Sequence, residues 1–261
     1  MQAINSRPRI LCIGGLDPSG GAGLQADIET IANCGGHALS IATCLTVQNS
    51  QQAYSVNAVD NEIIQQQAEH LLNDIQISSC KIGVIPNQKI AITIGKVLQK
   101  LSDIPVVLDP VMSASHGVKF VGQTALEKIQ KCILPNVTVI TPNQSELKQL
   151  IPGDQSITTK AILLCQSGPE YCLATGADEQ TKIISHYLTN KERVIKTYQQ
   201  PRLPHAYHGS GCTLSSAIAY FLARNLDIEQ AVENALHYTM RTLENSDRPG
   251  GGQHIPRRSF T

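Results

Sequence analysis

Short apolar runs alternate along this chain with amphipathic stretches. Ile10-Leu11-Cys12-Ile13 is too short and too continuously apolar for a surface helix, so residues 9–13 read as a buried strand. Residues 23–33 place Leu24, Ile28 and Ile31 at i, i+4 and i+7, the spacing of one helix face. The alternation continues, with strands expected at 38–47, 79–84, 105–108 and 137–140 and helices at 61–73, 88–101, 124–132 and 143–150. Residues 54–59 read as one more strand in an edge or lid position. Apolar strands separated by helices indicate a mostly parallel sheet covered on both faces, an α/β sandwich of three layers. The last third changes character. Residues 171–174, 182–188 and 193–198 read as strands, the last two an antiparallel pair joined by Thr189-Asn190-Lys191. Two helices follow, one entered from the stretch 208–216 and one over 227–243, and the tail through Gly250-Gly251-Gly252 to His254 reads as a loop. No repeat, linker or low-complexity tract interrupts the pattern, so one domain over residues 1–261 is expected.

In such sheets ligands bind beyond the carboxyl ends of the strands. Four polar or turn segments sit there: Gly14-Gly15-Leu16-Asp17, Gln48-Asn49, Asp109-Pro110 and Thr141-Pro142-Asn143. The glycine-dense stretch 14–23 lacks the Lys-Ser or Lys-Thr of a P-loop and does not fit the Gly-x-Gly-x-x-Gly dinucleotide turn. Flanked by Asp17 and Asp27, it suits close contact with a small polar molecule; the plainer reading of Asp27 is a solvated helix face. The Gln48 amide can donate and accept at once, which suits a ring nitrogen beside an amino group. Asp109 ends a buried strand and calls for a cation, a metal-bound water or a hydrogen-bond network. Asn143 and Glu146 have the spacing of a capping box at a helix start; the functional alternative is organisation of magnesium and phosphate.

His208-Gly209-Ser210-Gly211-Cys212-Thr213 runs into an apolar helix. Small residues there leave the helix N-terminus bare, so its N–H groups and dipole can hold an anion. Cys212 lies where that anion would sit. A helix N-terminus lowers a thiol's pKa, so Cys212 is a candidate base or nucleophile, against the plainer reading of a small apolar residue.

Composition narrows the field. Twenty-one basic and 21 acidic residues cancel, which gives no electrostatic hold on nucleic acid or membrane. Aromatics are 4% with no tryptophan, too few for a base-stacking platform. None of the eight cysteines forms a Cys-x-x-Cys pair, and several lie in apolar runs, as buried thiols of a reducing compartment would. There is no signal-peptide core at the start and no apolar run of about 18 residues, so a cytoplasmic protein is expected.

The segments "GGLDPSGGAGLQAD", "TVQNS", "KIGV", "VLDPVM", "ITPNQSEL" and "HGSGCTLSSAIA" occur in the order and approximate spacing of one family. From about Ile10 to Leu243 the chain resembles the hydroxymethylpyrimidine/phosphomethylpyrimidine kinases of thiamine biosynthesis, members of the ribokinase-like superfamily. The resemblance implies a ribokinase-like sandwich that uses ATP and Mg²⁺ to phosphorylate 4-amino-5-hydroxymethyl-2-methylpyrimidine and then its monophosphate. It places Gly15, Asp27 and Gln48 on the pyrimidine, and Gly209, Ser210 and Gly211 on the transferring phosphoryl group. Cys212 falls on the presumed base, Asn143 and Thr213 on nucleotide or phosphate positions, and Asp109 and Glu146 on metal positions. A homodimer is implied as well. Two departures stand out: Thr175 and Gly251 occupy positions where relatives carry lysines, and Lys182, Arg248 and His254 are the candidate replacements. A pyridoxal-type kinase and a non-catalytic pyrimidine-binding protein are the rival expectations.

Overall fold

The computed structural model describes residues 7–113, 120–176 and 181–259. β1 (Arg9–Leu16) is followed by α1 (Gly23–Cys34), β2 (His37–Gln48), β3 (Ala53–Ala58), α2 (Asn61–Asp74), β4 (Ser79–Ile82), α3 (Gln88–Gln99) and β5 (Val106–Leu108). Then come α4 (Gln123–Lys128), β6 (Val139–Ile140), α5 (Gln144–Leu150), α6 (Ile157–Gln166), β7 (Tyr171–Ala174), β8 (Ile183–Thr189), β9 (Val194–Pro201), α7 (Ser210–Ala223) and α8 (Ile228–Glu244). The strands form one sheet in the order β3-β2-β1-β4-β5-β6-β7-β8-β9. Every pair from β2 to β7 is parallel; β3, β8 and β9 add antiparallel edges.

The period-two alternation of β1 sends its residues to two cores. Leu11 and Ile13 pack with α2, α3, α5 and α6, while Ile10 and Cys12 pack with α1, α7 and α8. That is the three-layer arrangement the hydrophobic pattern implied, including the antiparallel β8–β9 hairpin. Local differences have local causes. β1 runs past Ile13 through Gly14 and Gly15 to Leu16, because β2 continues beside it after a register shift at Gly14/Gly15. The helix expected over 124–132 becomes α4 followed by a π turn, Ile129–Ile133, and a 3₁₀ turn, Leu134–Asn136, which starts next to Pro135. α6 escaped the sequence reading although Ser156 caps it and Ala161 and Leu164 share its buried face.

Three features of this framework build the site. The carboxyl ends of β1, β2, β4 and β5 open on one side of the sheet. α7 lies over the central strands and aims its N-terminus at those ends. The β8–β9 hairpin and α8 extend the same side as a wall.

Candidate active site

A cavity of about 660 Å³ lies beyond the strand ends, within the usual range for small-molecule sites. At its centre is the start of α7. Gly209, the N-cap residue, has φ +83°, and no side chain caps the helix. Gly209, Ser210, Gly211 and Cys212 all line the cavity, so the uncapped first turn of α7 opens onto it. A Cβ at Gly209 would collide with the Gly21 carbonyl oxygen, so the helix start is packed directly on the glycine loop.

Thr213 does not face that opening. It is fully buried and outside the cavity lining, its hydroxyl donating to Gly209 O at 2.8 Å and accepting from Arg258 Nε at 2.9 Å. Its expected contact with phosphate is therefore replaced by a structural one: the helix turns Thr213 away from the strand ends.

Two residues hold the glycine loop, and the sequence reading passed over the first of them. Arg258, from the tail, is 2% exposed; its guanidinium reaches Gly20 O, Gly21 O and Glu29 Oε2 as well as Thr213. Asp17 accepts from Ser19 N (2.8 Å), Ser19 Oγ (2.7 Å) and Ala22 N (2.9 Å), and pairs with His208 Nε2 at 2.7 Å. Burial pushes the Asp17 carboxyl up, but the hydrogen bonds from His208 and Ser19 outweigh it and hold the group below its ordinary value. Asp17 therefore shapes the loop and ties it to the residue before the anion site.

Beneath α7 lies a buried charge array. Lys81, on the all-buried strand β4, is 1% exposed; its Nζ is 2.8 Å from Asp27 Oδ1 and 3.9 Å from Asp109 Oδ2. Ser216 Oγ also donates to Asp27 Oδ1 at 2.7 Å, and Ser215 Oγ approaches Asp109 Oδ2 at 3.5 Å. Burial works against the Lys81 charge, yet Asp27, Cys212 and Asp109 together keep its pKa above the ordinary lysine value. Asp27 is wholly buried and not on a solvated face, and its second oxygen, Oδ2, has no hydrogen-bond partner while the residue lines the cavity. An acceptor left bare in this way calls for a donor from a ligand. Lys81 could have been found from sequence by its charge inside the otherwise uncharged run Ser79-Cys80-Lys81-Ile82.

This array overturns one expectation. Cys212 was expected to have a lowered pKa from its helix N-terminus. Burial and the nearby Asp109 and Asp27 carboxylates instead push its thiol well above the ordinary value; Lys81 and the Gly23 N–H pull the other way without prevailing. Burial likewise raises the Asp109 carboxyl, against the pull of Lys81 and of the Cys212 thiol beside it.

The other expected residues fall around the same cavity. Gly15 and Gln48 line its β1–β2 end; a Cβ on Gly15 would come within 2.9 Å of Cys44 Sγ. Asn143 and Glu146 form a complete capping box: Asn143 Oδ1 accepts from Glu146 N, and Glu146 Oε2 accepts from Asn143 N, both at 2.9 Å. Both also line the cavity, so the box fixes them at the strand ends and does not exclude a ligand role. Asp109 lines it too. Among the described residues, no group of three or more His, Cys, Asp or Glu side chains is arranged to hold a metal. Two carboxylates of this kind fit an ion that keeps waters and leans on substrate phosphates, as Mg²⁺ does.

The candidate replacement cations lie elsewhere. Thr175 lines the cavity and bridges to Asn143, while Ala177 and Asp178 fall outside the described residues. Arg248 is exposed and donates to Gly251 O and Gly252 O. His254 stacks on His205 at 3.9 Å, and Lys182 is exposed. The Gly250–Gly252 tail packs on Ser50 and Gln51, where a Cβ at any of the three glycines would clash.

A doubly covered parallel sheet with a bare helix N-terminus at its strand ends is the architecture of the ribokinase-like small-molecule kinases. The family model described as phosphomethylpyrimidine kinase matches residues 17–257, and the chain belongs to that family. A hydroxymethylpyrimidine/phosphomethylpyrimidine kinase of Haemophilus influenzae is 33% identical, covering 94% of each chain. One from Streptomyces coelicolor is 30% identical over 94% of this chain and 92% of its own. Among solved structures, the phosphomethylpyrimidine kinase of Clostridium difficile is similar with a TM-score of 0.79 at 29% identity, over 91% of this chain and all of that one. A Bacillus subtilis pyridoxal kinase in complex with ADP has a TM-score of 0.89 at 25% identity, over 97% and 98%.

Proposed function

We propose that the chain, acting as one domain, transfers the terminal phosphoryl group of ATP to the hydroxymethyl group of 4-amino-5-hydroxymethyl-2-methylpyrimidine, and then phosphorylates the monophosphate to the diphosphate for thiamine biosynthesis. The observation that carries this reading is the bare start of α7, with Cys212 beside it, between the Gly15–Gln48 end of the cavity and the β8–β9 wall. The Streptomyces coelicolor and Haemophilus influenzae relatives, both hydroxymethylpyrimidine/phosphomethylpyrimidine kinases, support it.

In this reading Gln48 and the unpartnered Asp27 Oδ2 take the ring nitrogen and amino group of the pyrimidine, with Gly15 allowing the ring to approach the backbone. The amides of Gly209, Ser210 and Gly211 hold the transferring phosphoryl oxygens, and Asn143 holds nucleotide phosphate. Mg²⁺ would be held by Asp109 and Glu146 and would neutralise phosphate charge. Phosphoryl transfer through a loose transition state depends mainly on positioning and electrostatics, so the substrate hydroxyl can lose its proton late. The small fraction of Cys212 present as thiolate, held beside Lys81 and the Gly23 N–H, can then take that proton and return to the thiol.

Purified protein given the pyrimidine alcohol, ATP and Mg²⁺ is expected to yield mono- and diphosphate; no product from either substrate would sink the proposal, and pyridoxal added as competitor tests the rival kinase. Cys212→Ala is expected to lower kcat by about 10²-fold, the lower part of the range for acid–base groups, without changing the melting temperature. Because the thiol's pKa is raised, the thiolate fraction grows with pH across the neutral range. Turnover should therefore climb from pH 7 to 9 in the native enzyme and not in Cys212→Ala. A plateau already reached at pH 7 in the native enzyme counts against Cys212 as base.

The same reading includes a cytoplasmic homodimer. Its support is the exposed edge strand β3, with Tyr54 on it and exposed Leu45 and Val47 on neighbouring β2, together with eight unpaired cysteines suited to a reducing compartment. Sedimentation velocity at micromolar concentration should show a dimer that Val47→Lys dissociates; a native monomer contradicts this arrangement.

A further inference from the structure

The guanidinium of Arg258 is buried near the end of the tail, yet the residue does not line the cavity. A cation taken out of water needs acceptors on several sides. Glu29 supplies only part of that need. Its Oε2 is 3.1 Å from Arg258 Nη1, but the Glu29 side chain is 41% exposed, so solvent screens the pair. The remaining acceptors all belong to the walls of the site. Nη1 and Nη2 donate to the carbonyls of Gly20 and Gly21, and Nε donates to Thr213 Oγ1 at 2.9 Å.

These contacts converge on one residue. Gly21 O, which accepts from Arg258, is the atom that a Cβ on Gly209 would strike, so it lies directly against Gly209. Thr213 Oγ1, which also accepts from Arg258, donates in turn to Gly209 O at 2.8 Å. One planar fork thus braces Gly209 from the glycine loop on one side and from within α7 on the other. The tail that carries the fork is fastened along its length. Gln253 N donates to Ser50 O in the β2–β3 turn, His254 N donates to Ala206 O, and the His254 carbonyl accepts from His208 N. Tyr238 on α8 donates to Arg258 O. A lysine could supply the charge but not the fork, because its donors share a single nitrogen on a flexible stem. We propose that Arg258 is a positioning residue for phosphoryl transfer, through which the C-terminal tail sets the start of α7 against the glycine loop. This rests on the kinase reading above and adds a group that acts without touching a substrate. Amides help a transferring group only when already aimed at the place where charge develops, so a brace on Gly209 governs turnover more than affinity.

The test is steady-state kinetics of the whole protein with the pyrimidine alcohol, ATP and Mg²⁺, in Arg258→Ala and Arg258→Lys. Both variants should lose about 10²-fold in kcat, the cost of a small misplacement of reacting groups, with the KM of each substrate little changed. Guanidinium chloride too dilute to unfold the protein should restore part of the kcat of Arg258→Ala by refilling the vacated space. Potassium chloride at the same ionic strength should not. Amide hydrogen exchange at Gly20, Gly21 and the first turn of α7 should quicken in Arg258→Ala and slow again with guanidinium. A residue kept only for stability would lower the melting temperature and leave kcat below that temperature unchanged. If Arg258→Ala does not fold, Thr213→Val carries the test, since it keeps the volume and breaks the link to Gly209 O. Its kcat should fall about threefold to tenfold, the loss of one hydrogen bond, and an unchanged kcat overturns the inference. Native kcat in either Arg258 variant, or a loss that guanidinium does not reduce, overturns it equally while the kinase reading stands. If the native protein makes no product, the kinase reading falls and this inference with it.

Discussion

Lys81→Met is expected to destabilise the protein by about 3–5 kcal/mol at neutral pH, the cost of stranding a buried charge. Asp27 is wholly buried against Lys81 Nζ at 2.8 Å and Ser216 Oγ at 2.7 Å, while Asp109 is the next carboxylate, 3.9 Å from the same ammonium. Removing the cation leaves two carboxylates facing each other through low-dielectric surroundings. Urea denaturation should show a lower midpoint, and Lys81→Met combined with Asp27→Asn should recover most of the loss, because the stranded charge is gone. A single variant as stable as the native protein would mean that water reaches this array. The pH dependence has a definite sign. Lys81 has its pKa raised on folding, so its contribution is complete through the neutral range and is lost only as strongly alkaline solution deprotonates the folded protein. Without Lys81 the Asp109 carboxyl, already raised by burial, rises further, so the loss in Lys81→Met should be larger at pH 8 than at pH 6, where protonation relieves the stranded charge.

The second large effect is functional. Gly209→Ala should lower kcat/KM by about 10²- to 10³-fold, as loss of a preorganised anion donor does elsewhere. Two separate constraints meet at this residue. Its φ of +83° disfavours any side chain, and a Cβ would strike the Gly21 carbonyl oxygen. Relief requires α7 to shift away from the glycine loop, carrying the amides of Ser210 and Gly211 off the phosphoryl position. Steady-state kinetics with each substrate checks this, with far-ultraviolet circular dichroism to confirm that the helices persist. Activity within threefold of native would show that the helix start is not the anion site.

The C-terminal tail adds a structural point to the catalytic one. Arg258 links the glycine loop, α1 and α7 through Gly20, Gly21, Glu29 and Thr213, and Tyr238 on α8 donates to its carbonyl oxygen. Asp17 and His208 link the same loop to the residue before Gly209. The glycine loop and the start of α7 are thus clamped together from two directions, an arrangement that would keep reacting groups in register in the proposed transfer.

Much of this was legible along the chain. Apolar runs of β-strand length separated by helical periodicity determined the covered parallel sheet, because burial on both faces leaves no polar alternation. Gly209 to Gly211, Gly15 and Gln48 could be picked out as candidates because each lies at the end of an apolar strand or the start of an apolar helix, and the structure brings all of them to one cavity. What escaped were residues whose meaning lies in a distant partner. Lys81 reads as an oddity in a strand until Asp27, 54 positions away, is brought against it. Thr213 looks like a phosphate ligand until the helix phase turns it onto Arg258. Cys212 looks like an activated thiol because the helix dipole is a local property, whereas the burial and the carboxylates that raise its pKa are supplied by other elements. Sequence by itself determined the layers, the strand ends and the bare helix start, all of which follow from short-range periodicity and turn chemistry. The tertiary structure alone decided which charges meet and which buried groups stay unpaired, because electrostatics in a low-dielectric interior depends on neighbours that chain order does not reveal.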